Sequence, residues 1–153
     1  MIPLPIKRDV ILPRIIGIEG ELVELRALAE IPYEEYVKGP GYKVAEYHLH
    51  RALEGVFNIG NHILARIPGG AGVSKYRDVA RLLGEKHIVP QEFADGVLQK
   101  MAGYRTRLVH FYAEITPQET YRTIREDLGD FETFLRAIRD FLEHPERFGL
   151  TVE

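Results

Sequence analysis

The 153-residue chain contains no cysteine. That excludes disulfides, thiol nucleophiles and cysteine-built zinc sites, and it suits a reducing compartment. A long apolar run is also missing. The N-terminal stretch MIPLPIKRDVILPRIIGIEG is interrupted by Pro3, Pro5 and Pro13 and by Lys7, Arg8, Asp9 and Arg14. It falls short of the roughly 20 apolar residues of a membrane span, and it lacks the continuous core of a signal peptide. A soluble, cytoplasmic protein with no membrane partner is expected. Repeats and low-complexity tracts are lacking, and apart from an extended start no segment alternates as a strand would. Acidic residues are missing locally. Although the chain carries 23 of them, none lies between Gly96 and Ala113, where Lys100, Arg105, Arg107 and His110 are found. A local positive site is therefore expected on a protein whose net charge is −3.

What is present is helical. The balance of 45% hydrophobic and 28% charged residues is that of one ordinary globular domain. Ala45, Leu49, Ala52, Leu53, Val56, Gly60, Ile63, Leu64 and Ile67 recur at three- and four-residue steps, which predicts a long amphipathic helix from Gly41 to Ile67. An earlier helix is expected over Pro13 to Glu30, and a short one opened by Pro32. PGGAGVSK, Pro68 to Lys75, reads as a loop, followed by a short helix stopped by Gly84. Pro90 starts the segment that runs to Tyr112. Thr116, Pro117 and Glu119 supply N-cap, first residue and capping-box partner of the last helix, whose apolar face is Phe131, Phe134, Leu135, Ile138, Phe141 and Leu142. The fold class expected is all-α, an antiparallel bundle of four to five helices.

Three groups of residues invite chemistry. GGAGVSK lacks the G-x-x-x-x-G-K-[ST] order of a phosphate loop and follows a helix where that loop needs a strand, so it reads as a connection. His48, His50 and His62 are spaced to face apart, which argues against a metal cluster and for solvated or interface histidines. His87 and His144 sit near helix ends, where they can meet the carbonyl end of the dipole. In YRTRLVHFY, Arg105 and His110 are five residues apart, roughly 7.5 Å along a helix axis and about 140° around it. Histidine moves protons near neutral pH, and an arginine fork holds a phosphate and stabilises charge built up on it. The pair suits cleavage of an RNA phosphodiester by its own 2′-hydroxyl, which needs no metal. A surface helix with two solvated arginines and a half-buried histidine is the other reading. Spacing alone favours that one, because R-x4-H is short and common. Leu108, Val109 and Phe111 read as core or dimer contacts.

MAGYRTRLVHFY resembles the signature of HEPN-domain proteins of the HepT type, the toxin half of a two-component toxin–antitoxin pair, which carry R-x4-H followed by x-Y. Here that is Arg105, His110 and Tyr112. YEEYVKG, RALEGVFNIGNHILA, SKYRDVARLLGEKHIVPQEFADGVLQKMAGYR and ITPQETYRTIREDLGDFETFLRAI are similar to the family as well, so the likeness spans Ile15 to Leu142. It implies a helical homodimer, with residues 15–148 as the HEPN-like domain and 1–14 as an added arm, in which two copies of the motif face one cleft. It implies a ribonuclease without metal or cofactor, acting on transfer or messenger RNA, with Arg105 and His110 catalytic and Arg107 and Thr106 binding substrate. It also implies a minimal nucleotidyltransferase antitoxin of the MntA type as partner, and Tyr112 as the acceptor of AMP. The family commonly has asparagine where this chain has Thr106; threonine keeps a hydroxyl but loses the amide's paired donor and acceptor. A non-catalytic helical module that binds the nucleotidyltransferase or a nucleotide is the alternative. A dimer that keeps the motif only for packing is a third.

Overall fold

The structure, a computed structural model, describes residues 3–70, 72–73 and 75–153. It is all-α, as the periodicity predicts. The helices are α1 (Arg8–Ala29), α2 (Tyr33–Lys38), α3 (Gly41–Leu64), α4 (Tyr76–Glu85), α5 (Gln91–Phe93), α6 (Gln99–His110), α7 (Pro117–Glu126) and α8 (Gly129–Glu143). A π-turn over Ala94–Leu98 joins α5 to α6 without a break in helical backbone.

The central helix is α3. Its predicted stripe is the buried one, from Ala45 through Leu49, Ala52, Leu53, Val56 and Gly60 to Ile63 and Leu64. Two glycines let its neighbours come close. A Cβ on Gly55 would stand 2.7 Å from Cγ1 of Ile18 on α1, and one on Gly60 would stand 2.8 Å from Cγ1 of Val79 on α4. Gly60 thus gives the Val79 and Leu83 side chains of α4 room to pack against α3.

Three helix boundaries differ from expectation. The first helix begins at Arg8 and carries Pro13 inside it. Pro13 forgoes one backbone hydrogen bond, but Ile11, Ile15, Ile18, Leu22 and Leu25 form one buried stripe that crosses it, and each such side chain contributes about 1.5–3 kcal/mol on burial. Residues 8–14 are thus the first turns of α1. Ile6 is buried too and exchanges backbone bonds with the C-terminal segment, Ile6 N–H to Thr151 (2.8 Å) and Glu153 N–H to Ile6 (2.8 Å). The helix expected to stop at Gly84 runs one residue further, to Glu85; Gly84 is buried in the last turn of α4, and the chain turns at His87, which takes the left-handed φ of 60°. The expected last helix is two helices, because the chain breaks at Asp127–Leu128 and restarts at Gly129. The whole of its predicted apolar face, from Phe131 to Leu142, belongs to α8 and is buried.

The start of α7 follows its sequence in part. Glu119 N–H donates to the Thr116 hydroxyl (3.1 Å) and Pro117 holds the first position. The Glu119 carboxylate does not close the box. It takes both terminal nitrogens of Arg107, at 2.7 and 3.0 Å. A buried hydroxyl pair, Tyr36 with Thr120 at 2.7 Å, ties α2 to α7; burial pushes the Tyr36 hydroxyl up to about 12.

Candidate active site on helix α6

Helix α6 presents Arg105 and His110 on different sides. Arg105 faces α3 and the start of α4. Its Nε donates to Glu54 Oε1 at 2.6 Å, and its guanidinium lies 4.4 Å from the centre of the Tyr76 ring. The Tyr76 hydroxyl donates to the other oxygen of Glu54 at 2.7 Å, and His50 Nε2 lies 3.2 Å from Oε1. One carboxylate therefore collects three partners, with only a quarter of the Arg105 side chain exposed. Burial on its own would raise the Glu54 carboxyl. Hydrogen bonds from Tyr76 and Arg105, with the Arg105 charge, outweigh it and hold the group below its ordinary value. Tyr76 moves the other way, raised by burial and then by its bond to Glu54.

His110 ends α6 and is exposed, and Phe111 leaves the helical region with φ −132° and ψ 31°. Tyr112 opens a 3-10 turn with 63% of its surface exposed. Because the helix stops at His110, Tyr112 does not continue the face of Arg105 as an uninterrupted helix would have it. Leu108 packs in the core as expected; Phe111 is half exposed.

The expected binding residues divide. Thr106 donates its hydroxyl back to the Ala102 carbonyl (3.2 Å), a bond within the helix. Arg107 is committed to Glu119 through both terminal nitrogens, so its fork is not free for a phosphate in this state. The same ion pair lines a cavity of about 350 Å³ together with Leu49, Leu53, Val97, Met101 and Phe131. Tyr104 lines it as well. Burial pushes that hydroxyl up to about 12, and it meets no hydrogen-bond partner among the described residues. Thr123, beside it, donates its own hydroxyl to the Glu119 carbonyl.

The α3 histidines occupy three unrelated environments. His50 is on Glu54, and His48 shares Glu21 with Arg51. His62 accepts the backbone N–H of Lys7 at 3.1 Å, just ahead of α1. Burial, then the charges of Arg66 and Arg14, push His62 down to about 4. Among the described residues no three His, Asp or Glu side chains gather as a metal-ligand set, and no helix is long and apolar enough to cross a membrane. Glu54 and Tyr76 are the site residues that sequence reasoning missed. Glu54 lies 51 positions from Arg105; the one local hint was its place four residues after His50 on a helix.

Comparison with known proteins bears on this geometry. The profile of the family Ribonuclease HepT-like matches residues 18–138. A protein named tRNA nuclease HepT, from Aphanizomenon flos-aquae (strain 2012/KM1/D3), is 25% identical over 122 residues, 79% of this chain and 82% of its own. A protein of Archaeoglobus fulgidus is 31% identical over 123 residues, covering 80% of this chain and 89% of its own. The structure of a tri-AMPylated Shewanella oneidensis HEPN toxin in complex with MNT antitoxin superposes with a TM-score of 0.75 at 25% identity, over 87% of this chain and 98% of that one. With the family profile covering most of the chain, the Arg105–His110 stretch included, the chain belongs to the HepT-like ribonuclease family.

Proposed function

We propose that the chain is a metal-independent endoribonuclease toxin that cuts transfer or messenger RNA through Arg105 and His110. The observation that carries the reading is the Glu54–Tyr76–Arg105 cluster. It fixes a guanidinium at the foot of the motif while leaving His110 exposed at its end. In the reaction the 2′-hydroxyl gives up its proton and its oxygen attacks the adjoining phosphorus. The bond to the 5′-oxygen breaks, and that oxygen takes a proton. The products are a 2′,3′-cyclic phosphate and a 5′-hydroxyl. His110 moves the proton, and Arg105 stabilises the charge that builds on the phosphoryl oxygens.

Arg105 and His110 of one copy point about 140° apart on their helix, so one chain does not close the site. A homodimer brings Arg105 of one copy toward His110 of the other. The exposed apolar side chains Ile16 and Val23 on α1 and Tyr47 on α3 offer surface for such a contact. The partner in this reading is a minimal nucleotidyltransferase antitoxin, which moves AMP from ATP to the exposed Tyr112 hydroxyl with release of pyrophosphate. Thr106 takes a substrate-side role through its position beside His110.

The test is cleavage of total transfer RNA in EDTA by wild type and His110→Ala, both purified without partner and both checked by intact mass for AMP. Cutting by the unmodified wild type alone is expected. If the unmodified wild type is silent yet co-purifies with a nucleotidyltransferase, the non-catalytic binding module replaces this reading.

A further inference from the structure

Arg77 near the start of α4 and Lys100 near the start of α6 line one groove, and neither forms an ion pair among the described residues. Together with Gly103, Thr106, Arg107 and Phe111 they line an open groove of about 440 Å³ that has no acidic residue in its walls. Lys100 also lines the neighbouring cavity with Asp130, whose carboxyl is raised by burial and by Asp127 and partly held down by the Lys100 charge, with no ion pair between the two.

The groove is built. Gln99 Nε2 donates to the Arg77 carbonyl at 2.8 Å, pinning the start of α4 to the start of α6. The Arg77 guanidinium lies over Gly103, where a Cβ would come 3.6 Å from Nη2. Thr106 and Arg107 lie three and four residues after Gly103, and four and three residues before His110, so the groove runs along α6 toward His110. At that end Phe111 leaves half of its ring in water. Like charges gathered in one groove repel one another, and a polyanion relieves that cost. An exposed aromatic ring beside a cationic track is the arrangement that binds unpaired nucleotides, phosphates on the cations and a base on the ring.

We infer that the Arg77–Lys100 groove is the subsite for the single-stranded RNA that flanks the cleaved linkage, with two backbone phosphates on Arg77 and Lys100 and a base stacked on Phe111. The inference rests on the ribonuclease reading and names the path by which its substrate reaches His110. Arg107 lies in the groove wall but spends its fork on Glu119, so it shapes the track and contributes less to holding it.

The experiment measures binding apart from cleavage. Full-length His110→Ala protein is titrated with a fluorescein-labelled single-stranded RNA dodecamer in EDTA, and anisotropy is followed over a range of salt. Adding Arg77→Gln and Lys100→Gln together is expected to weaken binding tenfold or more. The slope of log K against log salt should become shallower by about 1.4, at about 0.7 per phosphate contact on a single strand. Phe111→Ala alone is expected to weaken binding about fivefold or more, and it serves as the second variant if the double one melts early. Arg8→Gln with Arg136→Gln, two exposed cations outside the groove, should change neither quantity. The inference is overturned if the groove variants match that control, or if the parent protein does not bind the RNA. Failure of wild type to cut, with groove-dependent binding intact, would remove the nuclease reading and leave the subsite standing.

Discussion

Arg105 and His110 sit five residues apart on one helix, under contrasting conditions. Arg105 is braced by a carboxylate from α3 and the ring of Tyr76, three-quarters out of water, in a position that costs little further ordering when charge builds beside it. His110 stands at the last residue of α6 with Phe111 and Tyr112 beyond it, all exposed. The contrast separates two demands. A group that stabilises developing charge works best when fixed in advance. In the proposed function His110 exchanges protons and Tyr112 takes AMP, and groups with those tasks must be reachable.

The contrast breaks most visibly at His110. His110→Ala is expected to lower cleavage about 10²- to 10⁴-fold, the usual contribution of a positioned acid or base, while the unfolding free energy from chemical denaturation stays within about 0.5 kcal/mol, as for exposed surface changes. A large loss of stability would show that the exposed end is structural after all. Arg105→Ala should instead lose both. It leaves Glu54 half-buried with fewer partners, at about 1–2 kcal/mol by urea denaturation, and Glu54→Gln in the same chain should return part of that. If the second change returns nothing, Glu54 does not brace Arg105.

Glu54→Gln alone sharpens the picture. It keeps the shape, drops the charge, and is expected to reduce kcat several-fold with KM nearly unchanged, because the arginine stays present but less fixed. A smaller effect concerns the far end of α3. His62 must be neutral to accept the Lys7 N–H, and its folded-state value lies at about 4 against an ordinary 6.5. As pH falls through that window the unfolded chain takes up the proton first, so stability present above 6.5 declines toward 4. Thermal melts should show a flatter decline for His62→Gln across the upper part of this window; equal slopes would dissociate His62 from it. The smallest effect on cleavage is expected from Tyr112→Phe. That variant should cut as wild type does and gain no AMP mass when incubated with ATP and its nucleotidyltransferase.

Sequence pattern reached the parts of the molecule governed by local rules. The three- and four-residue recurrence in α3 and the Thr116–Pro117 start of α7 are short-range physics, and both read directly. The R-x4-H-x-Y stretch was legible as a motif, yet what surrounds it was not. Glu54 and Tyr76 meet Arg105 only because α3, α4 and α6 pack together, and Arg77 reaches Gly103 for the same reason. Glu119 illustrates competition between the two levels. Locally it completes a capping box, but a bidentate, charge-assisted pair with Arg107 outweighs one bond to a backbone N–H. Pro13 follows the same logic, since core burial along α1 overrides a local helix-start preference.

The π-turn at Ala94–Leu98 gives the site a register. One surplus residue in a helical turn acts as an angular offset, and each residue of an α-helix advances about 100°. Regularising that turn by a single deletion would swing every downstream side chain through that angle while α5 stayed seated. Arg105 would leave the Glu54 carboxylate, and the Gly103–His110 face would point elsewhere. The same twelve letters of α6 grafted onto a plain helix would therefore arrive out of phase.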